Sequence, residues 1–329
     1  MAENILKVDS LKMHFPVKSG VMRKVSGHVY AVDDVSFTVS SGETLGIVGE
    51  SGCGKTTLGR TLISLYTPTS GTVMFRDRII SGMRQKDLLP LRSDFQMIFQ
   101  DPYDSLNSRH TVRFILEEPF IIHGRGDRRS REKDVKSLLD MVGLPASSLD
   151  RFPHEFSGGQ RQRIGIARAI ALRPQLVICD EPVSALDVSI QSQILNLLLD
   201  LQNHLGLTYL FISHDLTVVH HVSDRVAVMY LGRIVELADA DTIYLNPVHP
   251  YTKALISAIP EPDPAVVRER IVLQGAVPSP VNRPRGCFFH TRCARAEKIC
   301  SEVYPETVKC TTGSGEHYAS CHFAQEESH

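Results

Sequence analysis

The stretch GESGCGKTT, Gly49–Thr57, restricts what this chain can fold into more than any other nine residues. Gly49, Gly54, Lys55 and Thr56 stand at the spacing of a phosphate-binding loop. A polyphosphate needs several backbone N–H groups turned inward, and glycines let the chain curl closely enough to present them. Gly49, Glu50, Ser51, Gly52, Cys53, Gly54, Lys55, Thr56 and Thr57 are therefore candidate nucleotide contacts. Lys55 can reach the β- and γ-phosphates, and the Thr56 hydroxyl can ligate Mg²⁺. TLGIVG before the loop reads as an apolar strand and KTTLGRTLISL after it as a helix, the setting such a loop requires.

LVICDEP, Leu176–Pro182, supplies a second acidic element. Four apolar residues form a buried strand, and Asp180 and Glu181 emerge at its C-terminal end, where α/β sheets place ligands. Asp180 is positioned to hold Mg²⁺, and Glu181 to orient or deprotonate an attacking water. Further along, residues near 190–205 read as a helix and TYLFIS as a strand. Residues 1–48 read as short strands and turns, and residues 101–156 as mainly helical. Strands alternating with helices predict an α/β core with a mostly parallel sheet.

Lys and Arg total 36 against 37 Asp and Glu, so no basic field points to a nucleic-acid partner. The opening MAENILKVDS lacks the pattern of a secretory signal, and no apolar run approaches the roughly 18 residues of a spanning helix. These features predict a cytosolic protein with reduced cysteines. After Leu237, prolines at 247, 250, 260, 262, 264, 278, 280 and 284 predict an extended connector to a cysteine-rich tail.

FSGGQRQRIGIARAI, Phe156–Ile170, places two glycines at the start of a helical pattern, a propensity cost of about 1 kcal/mol each. With the other motifs, this chain resembles the nucleotide-binding subunits of ABC transporters. The matching pieces are the loop at 49–57, FQDPY with Gln100, SGGQ at 157–160, CDEP at 179–182, SALD at 184–187 and ISHD with His214. The resemblance implies a P-loop ABC-type domain over residues 1–237, with a parallel core, an antiparallel β subdomain and a helical subdomain at about 101–160. It also implies two ATPase subunits packed head to tail, with Ser157, Gly158, Gly159 and Gln160 of one closing on ATP held by the other. Glu181, His214 and Gln100 take catalytic roles by the same match; Gln100 joins Thr56 and Asp180 at Mg²⁺. Asp187 falls at the subunit interface. An aromatic residue upstream should stack on adenine; Phe15 is preferred, with Tyr30 the other candidate.

NPVHPYTKALISAIP and GCFFHTRCARAEKIC, within residues 238–329, resemble the oligopeptide/dipeptide importer branch, the F-type dipeptide subunits most of all. That implies a small C-terminal extension and ATP-driven peptide import at the cytoplasmic face of a bacterial inner membrane. The implied partners are a second, different ATPase chain, two permease subunits and a periplasmic binding protein. Nickel, opine and glutathione are alternative cargoes; a soluble ATPase acting on nucleic acid or ribosomes is the remote alternative. Cys287, Cys293, Cys300 and Cys321 match positions that bind a [4Fe–4S] cluster in some branch members. Zinc and plain reduced thiols are the competing readings, His290, His317 and His322 keep mixed ligation open, and Cys310 stands outside the pattern.

Overall fold

The strand Thr44–Val48 (β3) is buried at all five positions, as an apolar run covered on both faces must be. It belongs to a computed structural model that describes residues 3–19, 24–260, 270–311 and 315–326. The chain forms two compact units interleaved in sequence. One holds the residues up to Ile5, Val39–Glu43 and Met83–Ile212; the other holds Leu6–Thr38, Thr44–Gly82 and the residues from Ser213 onward. The extension after residue 237 thus lies in the same unit as the phosphate loop.

The second unit contains a four-stranded sheet. Its strands are β1 (Asn4–Ser19), β2 (Lys24–Ser40), β4 (Ser70–Phe75) and β5 (Arg78–Ile79), in the order β2-β1-β4-β5. Here the expectation of short strands and turns is corrected: β1 and β2 run for 16 and 17 residues. Alternation carries them, since Val35, Phe37 and Val39 turn inward while the residues between stay more exposed. In the same unit β3 pairs in parallel with β9 (Arg225–Tyr230). From β9 an antiparallel ladder continues through β10 (Arg233–Asp239) to β12 (Tyr318–Ala319) and β11 (Val308–Lys309).

The first unit is built on three parallel strands, β6 (Phe95–Ile98), β7 (Leu176–Asp180) and β8 (Thr208–Ser213), with β7 in the middle. Three helices follow Gln100: Pro102–Ser105, Val112–Ile122 and Arg128–Met141. Thr111 caps the second by accepting from the Phe114 N–H, and Asp127 caps the third by accepting from the Ser130 N–H. The helices Gly158–Ile170 and Val188–Leu205 complete this unit.

The expected connector is shorter than its prolines suggested. Pro250 occupies the first turn of a helix, Pro250–Ser257, where its missing N–H costs nothing, and His249 caps that helix. Pro262 and Pro264 lie outside the described residues. Strand β12 is anchored by the fully buried Glu236 carboxylate, which binds His317 Nε2 at 2.8 Å and accepts from the Val248 and His249 N–H groups. A buried carboxylate is tolerated only with partners of this kind.

Candidate active site

The loop 49–57 leaves β3 and opens the helix Lys55–Leu62, as a phosphate site requires. Gly54 sits at φ 108°, and a Cβ there would strike the Ala31 carbonyl, so only glycine fits. Lys55 is 5% exposed and its Nζ donates to the Gly49 and Glu50 carbonyls at 2.7 and 3.1 Å. A cation is thereby positioned inside the curl of the loop. Burial pushes the neighbouring Cys53 thiol upward, with Lys55 opposing, so Cys53 stays a neutral packing residue.

Gln100, Asp180 and Glu181 lie in the other unit. Asp180 ends β7 fully buried. Glu181 follows at φ 46°, a left-handed conformation that costs a side-chain-bearing residue roughly 1–2 kcal/mol. The Glu181 N–H is held by the Ile212 carbonyl at 2.9 Å, and its Oε2 accepts from Gln100 Nε2 at 3.0 Å. Strain of this sort persists where surrounding contacts over-determine the backbone, and it gathers at functional sites. His214 is exposed just beyond β8, at the start of the phosphate-loop unit.

The signature segment SGGQ, Ser157–Gln160, starts the helix Gly158–Ile170 with a capping box. The Ser157 hydroxyl accepts from the Gln160 N–H, and Gln160 Oε1 accepts from the Ser157 N–H. Gln160 therefore has a structural task that its motif position did not reveal. Gly159 also has a reason internal to the chain: a Cβ there would lie 2.5 Å from Ile190 Cγ2 on the next helix. Ser157 and Gln160 are exposed, so the helix tip faces outward. Asp187 precedes the helix Val188–Leu205, exposed and without capping it through its side chain.

Of the two aromatic candidates, Tyr30 is engaged on its face and edge. Arg283 lies 4.1 Å over its ring centre and His14 packs at 4.7 Å, while its N–H donates to the Pro280 carbonyl. Phe15 meets only the edge of Tyr66 among the described ring contacts, at 5.4 Å.

Cys287, Cys293, Cys300 and Cys321 line one small cavity of about 20 Å³ together with His249, His290 and His322. Burial, then the proximity of the other three thiols, pushes Cys287 up to about 11. Among the described residues no group of three or more His, Cys, Asp or Glu is arranged around a single ion position. Cys310 does not line that cavity; it packs with Val248, Ala319 and Ala324, a cluster that Cys321 also touches, and His317 is committed to Glu236. Two contacts escaped sequence reasoning altogether. Arg292 forms a two-pronged ion pair with Glu50 at 2.6 and 3.0 Å, and the Glu50 N–H donates to the Tyr251 hydroxyl at 2.8 Å. No periodicity or spacing signals either one.

Comparison with known proteins settles the family. The oligopeptide transport ATP-binding protein AppF of Bacillus subtilis is 54% identical over 323 residues, covering 97% of each chain. The chain is a member of the oligopeptide/dipeptide ABC transporter ATP-binding family. Within this family, the dipeptide transport ATP-binding protein DppF of Haemophilus influenzae is 49% identical, with 94% of each chain covered. The family profile "ABC transporter" matches residues 32–184, and "Oligopeptide/dipeptide transporter, C-terminal region" matches residues 235–300. The dimeric ATP-binding cassette MJ0796, in a post-hydrolysis state with ADP and Pi, superposes with a TM-score of 0.64 at 28% identity, covering 71% of this chain and 98% of that one. CbiO1 of Clostridium perfringens, from the transporter complex CbiONQ, gives 0.63 at 27%, covering 74% and 91%. The fold is a P-loop ABC-type nucleotide-binding fold, and the family member binds and hydrolyses ATP with Mg²⁺.

Proposed function

We propose that this chain is the ATP-hydrolysing subunit of a bacterial importer for short peptides, working at the cytoplasmic face of the membrane. Near-full-length identity to an oligopeptide transport ATP-binding protein carries that reading. Its partners are a second ATPase chain, two permease subunits and an external binding protein. No helix among the described residues is long and apolar enough to cross a membrane. The helical segment instead exposes Tyr103, Phe114, Ile121 and Ile122, apolar side chains suited to receiving permease loops.

In this reading the loop 49–57, with Lys55, takes the β- and γ-phosphates, and Phe15 stacks on adenine. Thr56, Gln100 and Asp180 hold Mg²⁺, which neutralises developing phosphate charge. Glu181 accepts the proton of the attacking water, oriented by Gln100, and His214 steadies the γ-phosphate. Ser157, Gly158, Gly159 and Gln160 serve the partner's nucleotide, with Asp187 at the interface. Closure over two ATP molecules and reopening after hydrolysis drive the permeases.

The four cysteines on one cavity suit a [4Fe–4S] cluster, for which a thiolate donor set is the usual chemistry; zinc is the alternative. Such a group supplies a structural or redox-sensing centre apart from phosphate chemistry. The deciding experiment for transport reconstitutes the chain with its permeases and second ATPase in vesicles. Peptide-loaded binding protein should stimulate ATP hydrolysis and peptide uptake together. Stimulation by nickel or opine carriers but not by peptide carriers overturns the cargo.

A further inference from the structure

Glu50 is the second residue of the phosphate loop, and each of its polar functions is already engaged. Its carbonyl accepts from Lys55 Nζ, its N–H donates to Tyr251, and both carboxylate oxygens accept from Arg292. Two of these three ties come from the C-terminal extension. Tyr251 is fully buried and packs against Phe289 at 5.4 Å; Phe289 in turn lines the cysteine cavity. Arg292 adjoins Cys293, and its side chain is 6% exposed. Its own N–H is fixed by the Phe289 carbonyl, and the Cys287 N–H donates to the Cys300 carbonyl, closing the segment on itself. A two-pronged arginine–carboxylate pair defines orientation as well as distance.

We propose that Arg292 is a positioning residue for the phosphate loop, holding Glu50 in place so that an intact four-cysteine centre strengthens ATP binding. The idea rests on the reading of the four cysteines as a metal centre. Arg292 touches no reacting atom; it acts through Glu50, whose carbonyl anchors the Lys55 ammonium. Loosening the segment between Cys287 and Cys293 frees Glu50 and lets the loop open without altering any phosphate contact residue.

The test uses the full chain purified without oxygen, with mant-ATP and Mg²⁺ as the probe, and iron, sulfide and zinc measured on every sample. Arg292→Ala should retain the metal and weaken mant-ATP binding about ten-fold, the size usual for removing a partner behind a binding group. Arg292→Lys, which keeps the charge but loses the fork, should recover part of that loss. Cys300→Ser should lose the metal and weaken binding to a similar extent, and the double variant should bind no worse than either single one. In the assembled transporter, Arg292→Ala should raise KM for ATP more than it lowers kcat. If the two substitutions add independently, or Arg292→Ala and Arg292→Lys both bind mant-ATP as the parent does, the proposal is wrong. A parent protein without metal instead overturns the metal-centre reading beneath it. If Arg292→Ala does not fold, Arg292→Lys and Glu50→Gln carry the same comparison.

Discussion

Gln100 Nε2 donates to Glu181 Oε2 across 3.0 Å, joining residues 81 positions apart in sequence. Gln100 lies just past strand β6 and Glu181 just past strand β7, and those two strands are parallel neighbours. Adjacent parallel strands bring their C-terminal ends to the same edge, so a residue just past each can meet the other. The pair therefore follows from topology, and it suits a carboxylate that must be aimed at a water molecule.

Replacing Glu181 by Gln should lower steady-state ATP hydrolysis by about a hundred-fold or more, the range for losing a general base. ATP should remain bound, because the loop 49–57 is untouched, and the dimer should stay closed. Phosphate release and sizing chromatography with the partner subunit present check this. Undiminished turnover removes Glu181 from the role of base.

Gly159→Ala should destabilise the chain by about 1–3 kcal/mol, the usual cost of overpacking, because its methyl meets Ile190. Urea unfolding measures that loss. Adding Ile190→Ala makes room and should restore part of the stability. If the glycine also serves close approach to the partner's phosphate, hydrolysis stays low in the double variant. Full recovery of hydrolysis would instead reduce Gly159 to a packing residue.

Phe15→Ala should weaken ATP binding about ten-fold, in keeping with the energy of stacking an aromatic ring on a base. Tyr30→Leu should leave nucleotide affinity close to the parent's while lowering stability, since its ring supports Arg283. Titration with a fluorescent ATP analogue distinguishes the two. The reverse ranking transfers the adenine contact to Tyr30.

Asp33 carries a pH prediction. Burial alone would raise its pKa, but the Arg283 and Arg233 guanidiniums, at 3.0 Å each, hold the carboxyl below its usual range, and His14 Nε2 lies 3.1 Å away. The unfolded chain then takes up a proton more readily than the folded one. Asp33 thus contributes its full stability above the ordinary carboxylate pKa of about 3.9, and loses it as pH falls through the depressed folded value. Asp33→Asn should cost about 3 kcal/mol near neutral pH, the lower end for breaking a buried pair. Unfolding midpoints from pH 7 down to pH 3 should show the gap between parent and variant narrowing below about pH 4. A gap that stays constant across that range removes Asp33 as the titrating group.

The phosphate loop, the strand LVICD with its two acids, and the helix behind the signature were all legible because their chemistry is local. Each is a run of a few residues whose residue types, apolar pattern and spacing state their purpose. Strands β1 and β2 were harder to read. The alternation of β2 is broken by Asp33, buried next to the buried Val32, which only Arg233 and Arg283, distant in sequence, make tolerable. Pro250 resembled a connector residue because first-turn helix prolines and loop prolines look alike until the helix behind them is seen.

What the sequence determined by itself is the nucleotide chemistry: glycines, a lysine, a threonine and paired acids at fixed short intervals admit few other uses. What only the tertiary structure decided is who supports those residues. Arg292 reaches Glu50 over 242 positions, Ile190 sets the need for glycine at 159, and four cysteines spread over 34 positions share a cavity. Contacts of that kind depend on packing between elements distant in the chain. No local period or propensity encodes them, so they appear only when the chain is folded.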